Sequence, residues 1–363
     1  MPDRTTKADY SQLATEVEFY LQEFFLQNAE RYDYGDLFEP LYHDLSEFVT
    51  RRGKRIRPLL LLRSYQIFGG DRPVNDRHLL KVAVSLELLH AFILIHDDVI
   101  DQSERRRGLP TFHKQVEERM GRHSQAERVG RNVATVMGDM LFALSIETIH
   151  ATDFPFERRD AALARFLRYL TDTGAGEIND ILLGTRDLSR TTEECIEQMY
   201  TLKTTRYTFE APCVLGAIFA GAGPETLDAI ARLTEPLGLA FQIQNDLIEF
   251  SHFDLQDRAM QTDLLEGKKT LLIRAAFDRL NEMDRSFLQL CLSSGDLSEA
   301  SILKIRELIA KAGAVEDLQA RMEELFARAE QAAEDVAFTG DQREGLQETL
   351  GQVRRMIAGN SAA

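Results

Sequence analysis

Apolar residues recur at steps of three and four along nearly the whole chain, and that period decides the fold class. Val82, Leu86, Leu89 and Ile93 form one such series; Val133, Val136, Met137, Met140, Leu141 and Leu144 form another. Two-residue alternation flanked by hairpin turns is absent, so no substantial sheet is expected. Gly and Pro stand mostly between the periodic stretches, at Gly69, Gly70, Gly108, Pro110, Gly221, Gly223, Pro224 and Gly267. The spacing predicts helices over 10–30, 36–50, 54–68, 76–101, 126–150, 156–184, 191–220, 225–250 and 268–281, with about three more in 285–357. No Pro/Ser/Gly-rich linker divides the 363 residues. The expectation is one all-α domain over residues 1–363, a large bundle of mostly antiparallel helices.

Charge narrows the partners. The chain holds 43 Lys and Arg against 59 Asp and Glu, a net charge of -16, which disfavours a nucleic-acid-coating role. Half of that excess lies in residues 11–50, with nine acids and one base, and reads as the solvated face of two surface helices. Cys195, Cys213 and Cys291 are odd in number and far apart, which fits a reduced cytoplasmic protein without disulfides. No signal peptide is visible, and no uninterrupted apolar run reaches membrane-spanning length, so no integral membrane segment is expected.

Two clusters carry chemistry. The apolar stretch LELLHAFILI runs into Asp97, Asp98 and Asp101, and Arg105, Arg106 and Arg107 follow shortly after. Asp97 and Asp101 share a helix face. Two carboxylates one turn apart at a buried helix end need a cation between them. Oxygen ligands with room for water suit Mg²⁺, which takes phosphate oxygens as its other ligands. A solvated helix end would explain the acids alone; it does not explain the arginines beside them. The second cluster is RRGKRIR, residues 51–57. If Gly53 opens a helix, Lys54 and Arg57 fall one turn apart and make a seat for a diphosphate. His96 and His113 read as structural, because Mg²⁺ prefers oxygen, and Cys213 as a small buried residue.

With these two motifs the chain resembles the trans-isoprenyl diphosphate synthases, or polyprenyl synthetases. Further blocks follow in the family's order: GDMLFA at 138–143, GEIND at 176–180, KTTRYTFEAP at 203–212, GLAFQIQNDLIEF at 238–250 and DLLEGKKT at 263–270. The likeness covers roughly residues 50–275. It implies the isoprenoid synthase fold around a deep central cavity, and a homodimer. It also implies an enzyme that joins isopentenyl diphosphate to an allylic diphosphate with Mg²⁺, three ions when diphosphate is bound. By the same resemblance Asp97, Asp98 and Asp101 form the first aspartate-rich motif, with Asp97 and Asp101 as metal ligands. Arg106 binds the allylic diphosphate, and Lys54, Arg57, His90 and Arg107 bind isopentenyl diphosphate. Lys203, Thr204 and Lys268 serve the leaving diphosphate. Gln242 and Asp246 lie on the helix of the second aspartate-rich motif. The apolar side chains Leu86, Leu89 and Ile93 would shield the allylic cation from water.

The chain departs from that pattern at the second motif. Asn245, Asp246 and Glu249 stand where the family has DDxxD, which removes one formal negative charge and weakens the expected metal site. Asp257 and Arg258 replace a Gly-Lys pair nearby. Three readings remain: a synthase that tolerates Asn245, a terpene cyclase on the same fold, or a regulatory subunit of a heteromeric synthase. The cyclase reading lacks its downstream Glu, since Phe253 occupies that place. Phe92, five residues before the first Asp, sits where the family sets product length. A bulky floor there implies a short product, geranylgeranyl diphosphate first and farnesyl diphosphate second.

Overall fold

A computed structural model describes residues 10–31, 34–106, 108–251, 267–294 and 298–358. Arg107, Phe253, Asp257 and Arg258 lie outside the described residues. The chain is all-α, as the apolar period requires. Helices α1 (Tyr10–Arg31), α2 (Glu39–Thr50), α3 (Ile56–Ile67) and α4 (Arg77–Ile100) lead to a two-residue hairpin, Arg105–Arg106 with Leu109–Pro110. Helices α5 (Phe112–Met120), α6 (Ala126–His150) and α7 (Phe156–Thr185) follow. The segment expected as one helix over 191–220 is α8 (Glu193–Tyr200), a π-helical stretch (Thr201–Glu210) and α9 (Ala211–Ala220). Then come α10 (Pro224–Ser251), α11 (Leu271–Arg279), α12 (Glu282–Ser294), α13 (Glu299–Lys311), α14 (Ala314–Ala332) and α15 (Gly340–Ala358).

Helix starts follow local capping chemistry. The Asp76 carboxylate accepts from the backbone N–H groups of His78 and Leu79 at 3.0 and 2.9 Å, which opens α4. Thr192, Thr270 and Ser298 cap α8, α11 and α13 in the same way. Helix α5 is not apparent in the periodicity, because it spans only 9 residues; Phe112, Val116 and Met120 recur at steps of four, and Met120 is exposed. The helix is held by packing: Phe112 meets the Phe48 ring at 5.9 Å.

The chain forms two compact units. The first comprises Met1–Leu163 with Leu215–Gly221, the second Ala164–Val214 with Ala222–Ala363. In the first unit α4 is the core helix. Leu79, Val82, Leu86 and Leu89 are buried, and α6 packs along it. Gly138 of α6 makes this approach possible, since a Cβ there would stand 2.5 Å from the His96 ring. By length and composition α4 and α6 could cross a membrane; here they pack against each other. In the second unit α10 is the core helix, packed by α14, the π-helical stretch, α11, α8 and α15.

Candidate active site

The acidic cluster sits at the C-terminal end of α4, where the helix dipole is already negative. The helix stops there because Gln102 turns left-handed (φ 53°), and the Ser103 N–H bonds back to the Asp98 carbonyl at 3.0 Å. Gln102 and Arg55 are the non-glycine residues with positive φ among those described. The turn launches the hairpin, and the hairpin returns Arg106 to the acids. Arg106 donates from Nε to Asp98 Oδ1 at 2.8 Å and from Nη2 to Asp97 Oδ2 at 2.9 Å. Asp98 is fully buried, and burial pushes its carboxyl up to about 6 even with Arg106 attached. The facing carboxylates hold the Arg106 guanidinium more firmly charged than usual. Asp98 Oδ2 has no hydrogen-bond partner among the described residues.

An unpartnered, buried carboxylate oxygen at the negative end of a helix invites a further cation. The neighbouring donors are carboxylates, so the set fits a hard divalent ion such as Mg²⁺. Among the described residues, no three His, Cys, Asp or Glu side chains are already gathered around one point. Arg106 stands between Asp97 and Asp98, and Asp101 forms the helix cap, its N–H bonded to the Asp97 carbonyl at 2.8 Å.

The basic segment divides by role. Helix α3 opens at Ile56 and not at Gly53, because Arg55 takes a left-handed conformation (φ 48°) just before it. Lys54 is therefore in the lead-in and exposed, while Arg57 lies in the first turn of α3 and is buried. Arg55 forms a buried ion pair with Glu87 of α4 at 2.6 Å. It also donates to the carbonyls of Arg51 and Val49. Arg51 ties Glu47 to the Pro110 carbonyl of the hairpin. Two of the five bases thus build the frame. His90 is half-buried on α4. Phe92 is half-buried and packs on Phe142 of α6 and on His96, with centroids 5.5 and 4.6 Å apart. Leu86 and Leu89 are committed to the core, which leaves Ile93 as the half-buried member of the expected apolar wall.

In the second unit Lys203 and Thr204 lie on the π-helical stretch, a geometry concentrated at functional sites. Its position is set by close approaches. A Cβ on Gly176 of α7 would fall 2.2 Å from the Lys203 backbone nitrogen, and one on Gly238 of α10 would fall 2.2 Å from Thr205. Lys203 Nζ is held by Glu177 at 2.9 Å and Asp180 at 2.7 Å. Lys268 is half-buried, whereas its neighbour Lys269 is buried and donates to the carbonyls of Gly184 and Gly267. On α10, Asn245 and Glu249 are half-buried one turn apart, and Asp246 is buried between them. The Tyr200 hydroxyl donates to Asp246 Oδ2 at 2.5 Å, and Gln242 reaches Asp246 Oδ1 at 3.5 Å. Sequence reasoning passed over Glu177, Asp180, Lys269 and Tyr200. The GEIND block marks the first two, but nothing local marks Tyr200.

A family model described as polyprenyl synthetase matches residues 39–309. The chain belongs to the polyprenyl synthetase family. A short chain isoprenyl diphosphate synthase of Methanothermobacter thermautotrophicus is 33% identical, over 77% of this chain and 79% of its own. A geranylgeranyl diphosphate synthase of Sulfolobus acidocaldarius is 28% identical, over 77% of this chain and 78% of its own. Among solved structures, geranylgeranyl pyrophosphate synthase of Corynebacterium glutamicum superposes with a TM-score of 0.84 at 27% identity. The match covers 95% of this chain and 99% of that one. That crystal structure was determined in complex with isoprenyl diphosphate and magnesium. This polyprenyl synthetase has the isoprenoid synthase fold and is a prenyltransferase.

Proposed function

We propose that this polyprenyl synthetase condenses an allylic diphosphate with isopentenyl diphosphate and stops at a short product, geranylgeranyl diphosphate ahead of farnesyl diphosphate. The observation that carries this reading is the end of α4, where Arg106 gathers Asp97 and Asp98 and one buried Asp98 oxygen is left over. Asp97 and Asp101 are the first set of metal ligands, and Asn245, Asp246 and Glu249 the second. Three ions bind with the diphosphate. Magnesium held by these residues would neutralise diphosphate oxygens, which would make diphosphate a better leaving group.

The side chains divide the remaining work. Arg106, Lys203 and Lys268 each stabilise negative charge as the allylic C–O bond breaks and the electron pair stays on diphosphate. Thr204 and Gln242 add polar contacts. Lys54, Arg57, His90 and Arg107 hold isopentenyl diphosphate, so that its double bond meets the allylic carbon. Ile93 keeps water from that carbon, and Phe92 is the floor that limits product length. No nucleophilic side chain takes part, and the proton lost at the end goes to released diphosphate.

The enzyme works as a cytoplasmic homodimer. Supporting this are three cysteines outside any disulfide and a run of exposed apolar side chains on α7, Leu167, Ile178, Ile181 and Leu182, of which Ile178 is 58% and Leu182 59% exposed. Incubation with Mg²⁺, labelled isopentenyl diphosphate and allylic primers of increasing length tests the whole reading. Chain growth ending at twenty carbons is expected. A hydrocarbon or alcohol from the allylic diphosphate alone would make the protein a cyclase. Inactivity alone, with altered output from a co-purifying synthase, would make it a regulatory subunit.

A further inference from the structure

Tyr200 is the last residue of α8, three before Lys203, and it is only 2% exposed. Its hydroxyl accepts from the backbone N–H of Leu271 at 3.2 Å. The hydroxyl proton then points to Asp246 Oδ2, 2.5 Å away, in a short charge-assisted bond. Asp246 is 4% exposed, so neither group can exchange this bond for bulk water. Leu271 is the first residue of α11 and follows Lys268, Lys269 and Thr270 directly. Its N–H is one of the donors that a helix start leaves without an intrahelical partner. One hydroxyl therefore joins the segment leading to Lys203, the second carboxylate motif on α10 and the turn that carries Lys268.

We infer that Tyr200 is a positioning residue for the second metal-binding motif. By holding Oδ2 it fixes the Asp246 carboxylate in one orientation, with Oδ1 toward Gln242. Groups that orient a metal ligand in this way commonly set metal affinity by about 10–100-fold. The arrangement bears on the altered motif. With Asn245 a neutral donor, the charge that remains belongs to Asp246 and Glu249, and orienting Asp246 matters more. This inference rests on the reading of Asn245, Asp246 and Glu249 as metal ligands.

The test is calorimetric titration of Mg²⁺ with inorganic diphosphate into the full chain, wild type against Tyr200→Phe, with thermal melts and initial rates alongside. Tyr200→Phe keeps the ring in place. The expected result is metal-diphosphate binding weakened about tenfold. The Mg²⁺ concentration for half activity should rise in parallel, with KM for isopentenyl diphosphate unchanged. The double variant with Asp246→Asn should bind no more weakly than the weaker single variant, because Tyr200 acts through Asp246. Unchanged binding in Tyr200→Phe, or losses that add in the double variant, overturns the role of Tyr200 alone. If Tyr200→Phe does not fold, Asp246→Asn decides, since its amide oxygen can still accept from Tyr200. Wild-type binding in Asp246→Asn overturns the inference. A wild-type chain that consumes isopentenyl diphosphate but binds no metal with diphosphate removes the ligand reading and the inference together.

Discussion

At the scale of single residues, the acidic motif was legible because its chemistry is local. Asp97, Asp98 and Asp101 follow an apolar helix by sequence alone, and a cation requirement follows from their spacing. Asn245 is legible in the same way, as a missing charge. Asn245→Asp restores it and should lower the Mg²⁺ concentration for half activity several-fold; a rate titration in Mg²⁺ checks this. Phe92 packs between His96 and Phe142 and is only half-buried, so its truncation opens space without emptying the core. Phe92→Ala should lengthen the product beyond twenty carbons, read by chromatography of the dephosphorylated prenols, at a stability cost of about 1–3 kcal/mol. Tyr200 lay beyond sequence reasoning. Its partners, Asp246 and the Leu271 N–H, are distant in the chain, and only folding brings them to one hydroxyl.

At the scale of elements, long helices such as α4, α6 and α10 follow from the apolar period, while two features do not. Helix α5, at 9 residues, is too short for its three apolar positions to establish a period, yet Phe112 and Val116 are fully buried. The π-helical stretch at 201–210 looks like ordinary helix in sequence, since one extra residue per turn leaves no local signature. Its register is held by glycine contacts. Gly176→Ala would drive a Cβ to 2.2 Å of the Lys203 backbone nitrogen. That strain should cost about 1–3 kcal/mol and displace Lys203, lowering kcat more than KM; melts and steady-state kinetics on the variant check both. The basic segment shows the limit of motif reading in another way. Arg55 is committed to Glu87 inside the first unit. Arg55→Met leaves Glu87 buried without its cation and should destabilise by about 3–5 kcal/mol, measured by denaturant unfolding. The double variant with Glu87→Leu should recover much of that loss.

At the scale of the whole molecule, the pH response follows from burial. His113 is 3% exposed, and burial, aided by Lys114 and Arg131, lowers its imidazole to about 4, with Glu117 and Glu127 opposing. The unfolded chain takes up this proton near pH 6.5. The folded chain resists until about 4, so stability is full above 6.5 and falls as pH drops through that window. Denaturant unfolding at pH 7 and pH 5 should show the loss, and His113→Gln should reduce the difference. The net charge of -16 finds its place at this scale as well. It argues against a nucleic-acid partner and is silent on a small polyanion, because a sum over the whole molecule does not report the charge at one site.

The sequence by itself determined the all-α class, most helix positions, the family and the first carboxylate motif. Each depends on residue types at short spacing, which the chain cannot rearrange. The tertiary structure alone decided which bases frame the fold, where α3 begins, how Arg106 meets Asp97 and Asp98, and that Tyr200 secures Asp246. Those outcomes depend on burial and on hydrogen bonds between distant segments, and a side chain's role changes with the group that packing sets against it.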